Sequence, residues 1–419
     1  MEIREERLRD DILENGQIGS IDVEDGHGRT VLTGSEADRR ARERLVNRLD
    51  ARGLSVRIDA VGDIVGTWDP PSASSDRRPI AAGSHLDSVP EGGIFDGPLG
   101  VYAALEAVRA MQDAGLQPTR PIEVVCFTEE EGGRFETGLL GSGVAAGRHD
   151  VESALQTTDQ DGRSLRELLD GIGFHGDGRV DAAGWEAWIE LHVEQARRLE
   201  RARIPVGVVT RIAGITNLGI EVRGEANHAG STPMDERRDA LVAAAELVAG
   251  IETIAQEVAR TENPSAVATV GKVDIEPNAR NVVPGRVALT VDVRGADSAT
   301  IDAIVDRVRS RATRIERERT VGVTIDRYRD LPPVSLGNRC TEALRRAGDR
   351  TGVETMDLAS GALHDTANVA RVTDAGMLFA PSKNGVSHNP REWTDWSDCA
   401  TATRILGTAI ASLAGCDLQ

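Results

Sequence analysis

Three histidines close apolar runs or glycine turns: His85 in Gly83-Ser-His-Leu-Asp87, His192 in Glu190-Leu-His-Val-Glu194, and His388 in the segment Pro381–Asn389. Carboxylates fall in comparable places. Asp96 stands in Phe-Asp-Gly just before Pro98, and Glu129, Glu130 and Glu131 follow the run Ile122–Thr128. Imidazoles and carboxylates at strand ends can converge on divalent cations in the crevice at the edge of a sheet. His85 can ligate while Asp87 orients it. Asp96, on a tight loop, can bridge two ions. Within the glutamate run, like charges repel without a cation, so one carboxylate can bind metal while its neighbour serves as a base. Period-2 geometry puts Glu190, His192 and Glu194 on one face of a strand. Taken singly, each feature has a plainer reading: a surface turn, a solvated helix start, a structural histidine. It is their combination that points to a two-cation site. Such ligands suit Zn²⁺ or Mn²⁺, and Co²⁺ or Ni²⁺ as well.

The elements that must position these residues can be read from the pattern. Ser35 caps a helix reaching Arg52, with Gly53 as its stop. Strand-like runs follow at Val56–Ile58 and Ile64–Thr67, then Ile80–Ser84 leading into His85. Pro98 opens a helix with Val101, Leu105, Val108 and Met111 on one stripe, closed by Gly115. Ile122–Thr128, Trp188–Val193 and Met377–Ala380 read as further buried strands. This alternation predicts an α/β catalytic domain with a mostly parallel mixed sheet flanked by helices. From Ile212 the character changes. Strands at Leu218–Arg223, Ala266–Lys272, Val287–Arg294 and Val321–Ile325 interleave with helices at Asp239–Ile254 and Ala299–Arg314, the order of a ferredoxin-like α+β unit. The expected layout is catalytic residues 1–211, an inserted domain at 212–328, and a catalytic return at 329–419.

Composition narrows the partners. The 419 residues carry a net charge of −19, which argues against nucleic acid. Lys272 and Lys383 are the only lysines. Acidic excess with so little lysine predicts a halophilic protein, since carboxylates hold water and are screened at high salt. No apolar run is long enough to span a membrane. The start, MEIREERLRDDILENG, lacks the apolar stretch of a signal peptide, which predicts a cytoplasmic protein. The four cysteines form no CxxC pair, and Cys126 reads as core.

GSHLDSVPEGGIFDGPLGV, TEEEGGRF, ELHVEQ, NHAGSTPM, NVVPG and SHNP, in that order, resemble the N-carbamoyl-L-amino-acid hydrolases. That family includes β-ureidopropionase and allantoate amidohydrolase, within the aminoacylase and carboxypeptidase superfamily. The resemblance spans almost the whole chain. It implies that His85 and His192 hold one metal, that Glu131 and His388 hold the other, and that Asp96 bridges them. It implies Glu130 as general base and gives Glu129 no catalytic role. It makes His228 the oxyanion donor, acting across a homodimer from a dimerisation or lid domain. Gln195, Asn281 and Arg294 are implied to meet a small ureido or amide substrate that bears a carboxylate, and arginine is the planar partner a carboxylate wants. The implied reaction is hydrolysis of an N-carbamoyl amino acid to the amino acid, carbon dioxide and ammonia. Allantoate amidohydrolase, β-ureidopropionase, and a deacylase or dipeptidase are the alternatives within the superfamily, and a non-catalytic dimeric binding module is the alternative outside it. His192 in ELHVEQ, where deacylases carry a carboxylate, favours the carbamoylase branch. Leu363, and Ile212–Asn217, depart from the family pattern near the expected side-chain pocket, whose wall His364 is expected to join.

Overall fold

Strands Ile80–His85, Ile122–Phe127, Ala187–Val193 and Ala375–Ala380 are buried along their whole length. Such strands belong inside a sheet covered on both faces. The sheet order runs Ser55–Ile58, Ile64–Trp68, Ile122–Phe127, Ile80–His85, Ala187–Val193, Ala375–Ala380, Val206–Ile212. The four central strands pair in parallel, and antiparallel pairs flank them. A parallel-rich α/β sheet with helical cover is therefore what the chain builds.

Alternate residues of each strand serve the two faces. Ile80 and Ala82 join a core with helices Glu5–Gly16, Pro98–Asp113 and Trp396–Leu413. Ala81 and Val125 face the other way, into a cluster with Phe127, Trp185, Trp188 and Val369. The helix Pro98–Asp113 is buried almost throughout, and its two buried charges are paired, Glu106 with Arg7 and Arg109 with Asp11. Its proline occupies the first turn, where the missing N–H costs nothing.

The computed structural model describes residues 1–74 and 76–417. Contacts divide the chain into one unit of Met1–Thr210, Ser335–Leu358 and His364–Gln419 and a second of Arg211–Val334 and Ala359–Leu363. The second unit holds four antiparallel strands in the order Gly322–Leu331, Gly214–Arg223, Arg286–Gly295, Val267–Glu276. Arg286–Gly295 alternates buried with half-buried residues. Its inward side packs with helices Ala240–Thr261 and Ser298–Arg319. This unit runs past residue 328 because its last strand stays paired as far as Leu331 with Ile215. Both helices also exceed the lengths expected from sequence, since their apolar stripes continue through Val258 and Ile315.

Candidate metal centre

Parallel register fixes the first two imidazoles. His85 ends its strand beside Phe127, and His192 lies opposite Phe379 in the next pair. The two histidine rings stack with centroids 5.9 Å apart. Each Nδ1 is spent on a carbonyl, His85 on Asp87 O at 3.1 Å and His192 on Val193 O at 3.0 Å. A carbonyl accepts only from N–H, so Nδ1 carries a hydrogen in each ring and Nε2 is the atom turned toward the carboxylates.

Asp96 lies between these histidines and the third. Its Oδ1 is 3.0 Å from His192 Nε2 and 3.7 Å from His85 Nε2, while Oδ2 is 3.5 Å from His388 Nε2. Glu131 Oε2 is 3.3 Å from the same His388 nitrogen. Two donor groups result, His85–Asp96–His192 and Asp96–Glu131–His388, each with all its atoms within 4.8 Å of one another. His388 is half exposed and adopts a positive φ of 53°, the kind of local strain that gathers at functional sites.

The glutamate run does not begin a helix. Glu129 has a φ of 56° and accepts the N–H groups of Arg134 and Phe135, each at 2.9 Å. It fastens the following turn. Glu130 Oε2 sits 3.6 Å from His85 Nε2. The Asp87 carboxylate accepts the N–H groups of Glu130 at 3.3 Å and Glu131 at 3.1 Å, and lies 3.6 Å from His85 Nδ1. Asp87 therefore orients His85 through its backbone carbonyl and holds the glutamate turn with its side chain.

The electrostatics are those of an anionic cluster sharing protons. Burial works against a charged His85, yet Glu130 and Asp87 raise its pKa well above the histidine value. Burial likewise opposes charge on His192, but Asp96 lifts it to about 9. Burial would raise Asp96, and the facing histidines, His192 foremost, hold it well below the usual carboxylate range. Burial pushes Glu130 well up, with Asp365 and Glu131 adding to the rise. Glu131 is raised in the same way by burial and then by Asp96. Meanwhile His85 Nε2, His192 Nε2 and Glu131 Oε1 are buried without a hydrogen-bond partner among the described residues. Buried polar atoms are normally satisfied, so these orphans ask for an electrophile. Imidazole nitrogens and carboxylates fit a divalent cation, which would displace the shared protons.

Some of what surrounds the site is not evident from the motifs. Ser387 Oγ donates to Asp96 Oδ2 at 2.7 Å, and Gln195 Nε2 donates to the same oxygen at 2.8 Å. The buried Glu392 accepts the N–H groups of Phe95 and Asp96. A charged residue four positions after His388 was the only sequence signal for it. Glu190 shares a face with His192, but Ser84 and Thr366 occupy its oxygens. His364 packs its ring on His192 at 4.4 Å between centroids. Burial and then His192 keep it well below the histidine range, hence neutral.

His228, Asn281 and Arg294 belong to the second unit. His228 is exposed, and its Nδ1 accepts N–H groups from Gly230 at 3.0 Å and Ser231 at 3.1 Å. Its proton must then sit on Nε2, making that atom a donor. Asn281 is exposed and precedes Val282, the ladder partner of His228. Arg294 donates from Nε to Asp292 Oδ1 at 2.8 Å and from Nη1 to Gly361 O at 3.1 Å.

A parallel-rich α/β sheet whose strand ends gather orphaned imidazoles and carboxylates provides the donor set of a metal-dependent hydrolase. The chain belongs to Peptidase family M20/M25/M40, whose model matches residues 81–412. It is 38% identical over 416 residues to the N-carbamoyl-L-amino acid amidohydrolase of Geobacillus stearothermophilus, covering 98% of this chain and 99% of that one. It is 33% identical over 389 residues to the ureidoglycolate hydrolase of Arabidopsis thaliana, covering 90% and 81%. The crystal structure of an amidase of the hydantoinase/carbamoylase family from Burkholderia multivorans superposes with a TM-score of 0.91 at 35% identity, covering 99% of this chain and 98% of that one. No helix among the described residues is long and apolar enough to cross a membrane.

Proposed function

We propose that the protein hydrolyses the carbamoyl C–N bond of N-carbamoyl-L-amino acids, releasing the amino acid, carbon dioxide and ammonia. The observation that carries this reading is the pair of orphaned imidazoles, His85 and His192, sharing Asp96 Oδ1 while His388 and Glu131 gather at its far side. Two cations would be held by these residues, with Asp96 as the bridge. When bound, such ions supply Lewis acidity toward a carbonyl and lower the pKa of water from 15.7 toward about 7. Glu130 takes a proton from the attacking water and returns it to the nitrogen that leaves as the C–N bond breaks. Its Oε2, 3.6 Å from His85 Nε2, stands beside the donor set where such a base is needed. Released carbamic acid falls apart to carbon dioxide and ammonia.

His228, with Nε2–H free to donate, would stabilise the oxyanion from the partner of a homodimer. The edge strand Val267–Glu276 supports such a dimer: no other strand among the described residues pairs with its outer side, and Val267 and Val273 are exposed. The second unit would then serve as dimerisation and lid domain. Arg294, aimed by Asp292, would grip the substrate carboxylate with Asn281, and Gln195 would turn from Asp96 to the substrate. Zn²⁺ or Mn²⁺ is the proposed metal, a saline cytoplasm the proposed setting. The reading is tested on the metal-loaded enzyme with N-carbamoyl amino acids, allantoate, ureidoglycolate, N-acetyl amino acids and dipeptides. Ammonia and free amine should appear together from N-carbamoyl substrates. Turnover of dipeptides or N-acetyl amino acids alone would reject the proposal.

A further inference from the structure

We propose that Glu392, together with Arg29, is the positioning device that holds Asp96 between the two donor groups. The inference rests on the reading of Asp96 as a metal ligand. Between the end of the His85 strand and the helix at Pro98 the chain is irregular, so its backbone groups need partners from elsewhere. Two buried charged side chains supply them, sorted by sign. Arg29 donates from Nη2 to Leu86 O at 2.8 Å and from Nε to Gly93 O at 3.1 Å, and its own N–H reaches Gly92 O at 3.0 Å. Glu392 takes the amides: its Oε1 accepts Phe95 N–H at 2.9 Å and Asp96 N–H at 3.0 Å. The guanidinium thus ties together the carbonyls of Leu86 and Gly93, and the carboxylate holds the amides of Phe95 and Asp96 just beyond them.

Glu392 also reaches the Asp96 side chain. Its Oε2 lies 3.0 Å from Ser387 Oγ, and that hydroxyl is 2.7 Å from Asp96 Oδ2. One carboxylate therefore fixes the backbone of Asp96 directly and its Oδ2 through the residue beside His388. Contact is close enough that a Cβ on Gly93 would come within 2.4 Å of Glu392 Oε1. Both Arg29 and Glu392 are essentially inaccessible to solvent. Glu392 touches none of the reacting atoms; it acts through Asp96 and Ser387.

The test is zinc affinity, measured by competition with a chelator on folded protein, with thermal unfolding recorded alongside. Glu392→Ala should weaken zinc binding by about 10–100-fold, the range seen when groups behind metal ligands are removed. Glu392→Gln keeps an acceptor for the two amides and offers Ser387 Oγ a donor, so it should bind within several-fold of wild type. A merely structural Glu392 would lower the unfolding temperature and leave the affinity of the folded protein alone. Wild-type affinity in Glu392→Ala overturns the proposal, as do equal losses in the two variants. Should Glu392→Ala fail to fold, Ser387→Ala decides: unchanged affinity there overturns it. Asp96→Asn is the control, because wild-type zinc binding in that variant would sink the metal-site reading itself.

Discussion

Gly97 lies between Asp96 and Pro98 with φ 83° and ψ −60°, a conformation that L residues rarely adopt. A Cβ placed there would stand 2.5 Å from His85 Cε1 and Nδ1 and 2.7 Å from His85 O. Carbon atoms settle at about 3.5–4.0 Å, so in Gly97→Ala the imidazole must retreat by ~1 Å or the loop must swing away. Either movement separates His85 Nε2 from Asp96 Oδ1 by several times the ±0.2 Å or so that a metal bond tolerates. The backbone strain alone is of order 1–3 kcal/mol. At ~2–4 °C per kcal/mol for domains of 150–250 residues, metal-free protein should melt several degrees lower. Zinc affinity should fall by at least about 10–100-fold. Gly115 is the control: its φ is +65° and an added Cβ meets nothing within 4 Å, so Gly115→Ala should lose stability and keep its metal. Calorimetry and chelator competition on both variants decide the matter. Equal zinc affinity in the two would refute the idea that Gly97 makes room for His85.

Glu130→Gln should retain its metal and lose about 10²–10⁴-fold in kcat, read by ammonia release together with metal analysis; a near-normal rate rejects the base. Mixing inactive Glu130→Gln with inactive His228→Ala should restore activity, because one site of each mixed dimer then has both native residues; no recovery would exclude action in trans. Metal-free protein should lose stability as pH rises from about 5 to 9. Burial raises Glu129 and Glu392 to about 7 and Asp365 to about 8, and Asp96 overcomes burial to raise His192 to about 9. Native protein then binds more protons than unfolded protein across that window, so stability is greatest below it and drains away through it. Asp96 and Asp87, which are lowered, act only at acid pH. Unfolding temperatures of chelator-treated protein at pH 6 and pH 9 check this, and an equal or higher value at pH 9 refutes it.

That His85 and His192 would meet was legible in the sequence because strand ends announce themselves. Ile80–His85 is a mostly apolar run that stops at a histidine, Ala187–Val193 carries one at its next-to-last position, and the parallel register between the two strands brings those ends together. Helix starts were legible for the same local reason: Ser35 accepts Asp38 N–H as its cap, and Pro98 needs no N–H partner. What depends on long-range contact was not legible. Nothing in Ser-His-Asn-Pro-Arg-Glu says that Glu392 will reach Phe95 and Asp96, which precede it by almost three hundred residues. Nor does the run Thr128–Gly132 say which glutamate faces inward. That was decided by the positive φ of Glu129, which turns its carboxylate onto the Arg134 and Phe135 amides and leaves Glu130 and Glu131 pinned by Asp87. Arg29 was silent for another reason: a buried guanidinium that serves only backbone carbonyls has no partner whose side chain could mark it in the sequence. Residue types at strand ends thus state which atoms can bind a cation, whereas the groups that hold those atoms still are chosen by the tertiary structure, through backbone N–H and C=O groups that carry no residue signature.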